Sequence, residues 1–95
     1  MMTKNLTILG STGSIGRQTL EVVEQLPVRV AALTAGQNVE RMAEQCRRFR
    51  PQLAVMGTEE GAQRLREALA GEKIEIRSGM DGLIAAAEHP VADTV

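Results

Sequence analysis

Three glycines recur at a regular spacing near the N-terminus, between a short apolar run and an amphipathic one. They are Gly10, Gly13 and Gly16 in the pattern G-x-x-G-x-x-G, and the run before them is 6–9, Leu-Thr-Ile-Leu. Such a run predicts a buried strand, and glycines allow a tight turn with close backbone approach. The helix that follows offers unpaired N–H groups to a phosphate. The sequence therefore predicts a strand, turn and helix that bind the pyrophosphate of a dinucleotide.

Each part of this loop has an expected role. Gly10 allows the turn, and Gly16 lets the helix approach the sheet closely. The backbone is expected against the pyrophosphate at four residues, Thr12, Gly13, Ser14 and Ile15. The hydroxyl groups of Thr12 and Ser14 either donate to the phosphates or cap the helix, and the sequence leaves both open. The glycines alone would also suit a tight turn that binds nothing.

Apolar runs and helical periods alternate along the rest of the chain. Strands are expected at 6–9, 28–33 and 53–56, at an exposed or edge strand containing Ile74 and Ile76, and at the start of a strand in 91–95. Helices are expected from Ile15 to Pro27, from the cap Asn38 to Pro51, from the cap Thr58 (with Glu59 and Glu60 in the first turn) to Gly71, and over 83–87 before Pro90. This alternation predicts an α/β fold, a doubly wound, Rossmann-like parallel sheet.

The helical periods also predict which side chains are buried. In the first helix these are Ile15, Thr19, Val22, Val23 and Leu26; in the second, Val39, Met42, Ala43, Cys46 and Phe49; in the third, Ala62, Leu65, Ala68 and Leu69. Glu44 precedes Arg48 by four residues, the spacing of a helical ion pair. Cys46 is then a small buried hydrophobe rather than a nucleophile.

The end of the second strand indicates which nicotinamide cofactor fits. An acid there would accept from a free ribose 2′-hydroxyl and repel a 2′-phosphate, yet 34–38 reads Thr-Ala-Gly-Gln-Asn. This neutral segment, at the start of a helix with Arg41 one turn inside, predicts NADPH rather than NADH. Arg41 has an alternative as a solvated helix residue, because Arg47, Arg48 and Arg50 follow it.

Composition excludes several other classes of function. Eleven basic and twelve acidic side chains nearly cancel, and Phe49 is the only aromatic residue, so we expect no nucleic-acid partner. The single cysteine and single histidine, Cys46 and His89, predict no disulfide and no metal site, and His89 suits a helix C-terminus. No apolar run approaches the ~18 residues of a membrane span, so a cytoplasmic protein without a membrane partner is expected.

The chain also contains no nucleophile paired with a base and no cluster of carboxylates, so catalytic residues are expected elsewhere. Its 95 residues allow one domain at most. The last apolar run reaches Val95 with no covering helix after it. We therefore expect residues 1–95 to be the N-terminal portion of a dinucleotide-binding domain, with the catalytic and C-terminal domains absent.

Three segments together resemble the 1-deoxy-D-xylulose 5-phosphate reductoisomerase family. They are 6–16 (LTILGSTGSIG), 35–39 (AGQNV) and 51–56 (PQLAVM), in the family's order and at its intervals. The resemblance covers nearly the whole chain but only the opening of the family's NADPH-binding domain. It implies cofactor contacts at Thr12, Gly13, Ser14 and Ile15 and at Gly36, Gln37 and Asn38. Members often have a basic residue at the position of Gln37, which leaves Arg41 as the candidate cation.

The same resemblance implies the activity of the full-length protein. The family converts 1-deoxy-D-xylulose 5-phosphate to 2-C-methyl-D-erythritol 4-phosphate, in the non-mevalonate route to isoprenoids, using NADPH and a divalent metal, Mg or Mn. Its metal ligands and substrate-phosphate residues lie beyond Val95, so the chain alone is expected to be inactive, and a homodimer is expected at full length. Two alternatives are another NADP-dependent reductase with the same loop, such as an aspartate-semialdehyde dehydrogenase or an extended short-chain reductase, and a non-catalytic, self-associating fragment.

Overall fold

Strands and helices alternate along the whole described chain. A computed structural model describes residues 4–88 and 92–94. The strands are Lys4–Ile8 (β1), Val28–Ala35 (β2), Leu53–Met56 (β3), Glu75–Ser78 (β4) and Ala92–Thr94 (β5). The helices are Ser14–Val23 (α1), Val39–Phe49 (α2), Glu59–Ala68 (α3) and Gly79–Ala87 (α4). No helix in these residues is long and apolar enough to span a membrane.

The five strands form one parallel sheet in the order β4-β3-β2-β1-β5. The chain moves outward from β1 to β4 through α1, α2 and α3, and then returns through α4 to the opposite side of β1. Apolar side chains of the first three helices share one core cluster, whereas Ala86 of α4 packs with Ala32, Leu53 and Val55 in a second cluster. The predicted doubly wound α/β fold is therefore confirmed, with β4 at an edge as expected.

Local signals set the bounds of the two middle helices. The side chain of Asn38 accepts a hydrogen bond from the backbone N–H of Arg41 at 3.0 Å, and Thr58 accepts one from Gly61 at 3.1 Å. Both caps satisfy a donor that the helix itself leaves unpaired. α2 ends at Phe49 because Arg50, just before Pro51, is left-handed with φ of 48°. These predictions are confirmed.

The predicted buried face of α1 is wrong at three of its five residues. Ile15, Val22 and Leu26 are 77%, 60% and 50% exposed. Val23 is buried as predicted and Thr19 is half-buried, but the other buried residues are Gly16 and Leu20, so the true face is displaced by about one residue. The cause is Gly16, which must face the preceding loop and thereby sets the rotation of the helix. Apolar periodicity does not report that requirement.

Other differences are smaller. Phe49 is only half-buried and Ala68 is exposed, because both lie at the border of a buried face. β2 continues to Ala35, and α4 begins at Gly79, four residues before the expected start. Arg48 pairs with Glu24 of the loop after α1 rather than with Glu44. The expectations for His89, Pro90, Val91 and Val95 lie outside the described residues.

Candidate cofactor-binding site

The loop after β1 is held by the end of β2. The backbone N–H of Gly10 donates to the side-chain oxygen of Thr34 at 2.9 Å, and that of Ser11 donates to the Thr34 carbonyl at 2.7 Å. Gly10 has a φ of +66°, a conformation that glycine adopts without a steric penalty. Ser11 and Thr34 are both buried. The loop is therefore fixed before any ligand arrives.

Gly16 brings the first turn of α1 against this loop. A Cβ atom at Gly16 would lie 2.3 Å from the Gly10 carbonyl oxygen and 2.7 Å from the Ser11 Cα. Both neighbours are backbone atoms, so neither can rotate away. A cavity of about 220 Å³ lies on the loop, with Gly13, Ser14 and Gly16 among its lining residues. The backbone is thus exposed to a space where a ligand can lie.

The N-terminus of α1 has no side-chain cap. Gly13 occupies the N-cap position, and neither Thr12 nor Ser14 caps the helix, in contrast to Asn38 in α2 and Thr58 in α3. The first backbone bond of the helix runs from the Arg17 N–H to the Gly13 carbonyl at 2.9 Å. The Gly13 N–H donates to the Gly10 carbonyl at 3.1 Å, whereas the N–H groups of Ser14 and Ile15 have no backbone acceptor among the described residues. The positive end of the helix dipole adds to their attraction for an anion.

The ends of β2 and β3 meet beside the loop. The Gly36 carbonyl accepts a hydrogen bond from the Gly57 N–H at 2.8 Å, just after β3. Gly36, Gln37 and Asn38 are all exposed, and no acidic residue stands between Thr34 and Asn38. The two predicted segments therefore lie at the same carboxyl edge of the sheet, where open α/β folds bind their ligands.

A groove between α1 and α2 leads away from this edge. It has a volume of about 420 Å³, and its lining residues include Ser14, Arg17 and Arg41 from the first two turns of the helices. Glu24 and Arg48 also line it. Arg41 is half-buried here, on the side of α2 that faces α1. Arg17, which no sequence pattern indicated, is a further cation of the groove, whose lining contains three arginines and three glutamates.

Three buried polar residues of the site were missed from the sequence. Ser11, Thr34 and Gln45 are 0%, 3% and 9% exposed. Ser11 belongs to the loop, and Thr34 and Gln45 both form hydrogen bonds with it. Gln45 stands next to Cys46 at the border of the apolar face of α2, and this position was the one available signal. Thr34 lies inside a run of apolar strand residues, where a threonine also fits on propensity alone.

Other titratable groups add no catalytic constellation. Burial raises the pKa of the Cys46 thiol to about 12, which keeps it protonated and unreactive at neutral pH. Across residues 4–88 and 92–94, no group of three or more His, Cys, Asp or Glu side chains could hold a metal ion.

The sequence is similar to known reductoisomerases along most of its length. The protein-family model described as 1-deoxy-D-xylulose 5-phosphate reductoisomerase matches residues 6–95. The chain is 57% identical over 88 residues to the reductoisomerase of Moorella thermoacetica, covering 90% of this chain and 23% of that protein. It is 48% identical over 94 residues to that of Desulfitobacterium hafniense, covering 97% and 25%. The chain thus spans about a quarter of the length of these relatives.

Solved structures agree with this similarity. The reductoisomerase of Zymomonas mobilis in complex with NADPH superposes with a TM-score of 0.86 at 39% identity, over 90% of this chain and 23% of that one. A reductoisomerase in complex with NADPH, fosmidomycin and magnesium gives 0.89 at 34% identity, over 97% and 23%. The fold around the site is therefore shared with proteins that bind a dinucleotide.

Proposed function

Since the chain belongs to the 1-deoxy-D-xylulose 5-phosphate reductoisomerase family, we propose that it forms the part of the enzyme that binds NADPH. Residues 1–95 are then the N-terminal portion of the cofactor-binding domain. The binding residues are Gly10, Thr12, Gly13, Ser14, Ile15, Gly16, Gly36, Gln37 and Asn38. Two relatives of known structure contain NADPH, which supports the choice of cofactor.

One observation carries the proposal: α1 begins without a side-chain cap directly after a loop that fits only because Gly16 has no side chain. A dinucleotide pyrophosphate supplies the negative charge and acceptor oxygens that this turn lacks. The backbone of Thr12 to Ile15 binds it, and the Thr12 and Ser14 hydroxyl groups add donors. Gly16 keeps the helix end close to the bound phosphates.

The segment after β2 selects the nucleotide. Gly36, Gln37 and Asn38 receive the adenosine ribose, and the absence of an acid between Thr34 and Asn38 leaves room for its 2′-phosphate. Arg41 faces the groove beside Ser14 and supplies the cation that Gln37 does not. Arg17 in the same groove supports this assignment.

The proposal extends to the full-length enzyme. We propose that the full-length enzyme is a cytoplasmic homodimer that converts 1-deoxy-D-xylulose 5-phosphate to 2-C-methyl-D-erythritol 4-phosphate in isoprenoid biosynthesis. NADPH supplies the hydride, and a divalent metal is also bound, as magnesium is in three similar solved structures. The donor set of the described residues does not fit that metal. This chain is therefore assigned cofactor binding and no catalytic residue.

Titration of the chain with NADPH and with NADH tests the cofactor. Calorimetry is suited to this because the chain has no tryptophan or tyrosine. We expect NADPH to bind more tightly than NADH, with backbone amide shifts at Gly13, Ser14 and Ile15 in NMR spectra. Equal affinity for both would contradict the 2′-phosphate assignment, and no binding of either would contradict the cofactor assignment for this chain.

Ser14→Asp distinguishes an effect on NADPH binding at the N-terminus of α1 from an effect on the stability of the fold. A carboxylate in the first turn stabilises α1 through the helix dipole but repels a pyrophosphate. We therefore expect unchanged or higher thermal stability together with weaker NADPH binding. Gln63→Glu, which adds the same charge on the exposed face of α3, serves as the control and should leave the affinity unchanged.

A further inference from the structure

Gln45 is a polar residue on the buried face of α2. Its exposed fraction is 9%, whereas the other buried residues of this helix are Val39, Met42, Ala43 and Cys46. Burial of an amide is unfavourable unless both of its polar atoms find partners. A glutamine at this position therefore needs a reason beyond packing.

The amide of Gln45 contacts the glycine loop directly. Its Nε2 donates to the Ser11 carbonyl oxygen at 2.8 Å. Because a carbonyl can only accept, the nitrogen must be the atom that faces it. The Ser11 N–H is bonded at the same time to the Thr34 carbonyl. Ser11 is thus held from β2 on one side and from α2 on the other.

This bond fixes the orientation of the peptide group that joins Ser11 to Thr12. In a trans peptide the carbonyl and the following N–H point in opposite directions. With the Ser11 carbonyl directed at Gln45, the Thr12 N–H points away from α2. Among the described residues it finds no acceptor in the backbone. The donor is thus oriented and left available at the start of the proposed pyrophosphate site.

The amide oxygen of Gln45 indicates that good packing does not explain a glutamine at this position. Its Oε1 is buried and has no hydrogen-bond partner among the described residues. An unsatisfied buried acceptor is unfavourable. Methionine has a similar length and would fill the same space without that cost. What glutamine adds is the bond to Ser11.

We propose that Gln45 is a positioning residue for the cofactor: its amide holds the Ser11 carbonyl so that the Thr12 N–H is presented to the NADPH pyrophosphate. This inference rests on the proposed function. Gln45 acts through the loop and does not itself contact the cofactor.

Gln45→Met tests the inference, with Cys46→Ala as a matched control on the same buried face. We expect Gln45→Met to raise the Kd for NADPH about tenfold, the effect of losing one oriented donor to a charged group. Binding of adenosine 2′-monophosphate, which has no pyrophosphate, should be unchanged. A loosened fold would weaken both ligands, so equal loss of both, or of neither, would overturn the inference. Cys46→Ala should lower the thermal stability and leave both affinities as they are.

A second measurement does not require NADPH. Nitrogen-15 relaxation in the unliganded chain should show the Thr12 and Gly13 amides becoming mobile in Gln45→Met but not in Cys46→Ala. Unchanged order at these amides would overturn the inference. If the wild-type chain failed to bind NADPH while this loss of order was observed, the cofactor assignment would fail, and only the part of the inference in which Gln45 orders the loop would stand.

Discussion

At the scale of the residue, Gly16 explains both the turn and the rotation of the helix. The backbone of Gly10 and Ser11 lies so close that any side chain at Gly16 would overlap it. Leu20 and Val23 are then brought to the core because they lie one and two turns further along the same face. The exposed Ile15 follows from the same rotation.

Gly16→Ala should lower the free energy of unfolding by about 1–3 kcal/mol, the usual effect of overpacking. The new methyl group meets fixed backbone atoms, so the loop itself must move. Gly36→Ala is the control for stability, because a Cβ there meets nothing within 4 Å. Urea denaturation of both variants checks this, and equal midpoints would contradict the close approach seen at Gly16.

At the scale of the element, the three helices on one face of the sheet begin in different ways. Asn38 and Thr58 cap α2 and α3 with their side chains, whereas α1 has none. Cap residues satisfy donors that would otherwise need water or a ligand. Of these three, the helix without a side-chain cap is the one that follows the glycine loop, which fits a role in binding rather than in stability; α4, which begins at Gly79, also has no side-chain cap.

Asn38→Ala and Thr58→Ala should each lower the free energy of unfolding by about 1 kcal/mol, since each removes one side-chain cap. The effects on NADPH should differ. Asn38 lies in the proposed ribose segment, so its variant should also weaken binding, while Thr58→Ala should not. Chemical denaturation and calorimetric titration of the two variants provide the comparison. An unchanged Kd in Asn38→Ala would remove that residue from the site.

At the scale of the whole molecule, one core holds the first three helices against the sheet, and Cys46 lies fully buried within it. Burial raises the pKa of its thiol to about 12. In the unfolded chain the thiol ionises near pH 8.5. The unfolded state therefore binds fewer protons above that pH, and the free energy of unfolding falls as the pH rises toward 12.

Between pH 7.5 and pH 9.5 we expect Cys46 to lower the free energy of unfolding by about 1 kcal/mol. Cys46→Ala removes this contribution, so the variant should lose less stability over the same interval, although it starts from a lower value. Urea denaturation at the two pH values measures the difference. Parallel losses in both proteins would show that the thiol ionises as readily in the folded chain as in the unfolded one.

Much of the architecture could be predicted because it depends on local signals. Asn38, Thr58 and Pro51 act within a few residues of themselves, and the alternation of apolar runs with helical periods admits few topologies other than a parallel sheet. The site segments were found for the same reason, since the spacing of Gly10, Gly13 and Gly16 lies within one loop. Their binding of NADPH stays a prediction.

The sequence by itself determined the order of elements, the helix caps at Asn38 and Thr58, and the three segments that resemble the family. The tertiary structure alone decided which face of α1 is buried, that Thr34 holds the loop, and that Gln45 reaches it from α2. The last two facts depend on hydrogen bonds between residues 24 and 34 positions apart, and such contacts leave no periodic trace in the sequence. Close packing around Gly16 also overrides apolar periodicity, because a backbone clash cannot be relieved by rotating a side chain.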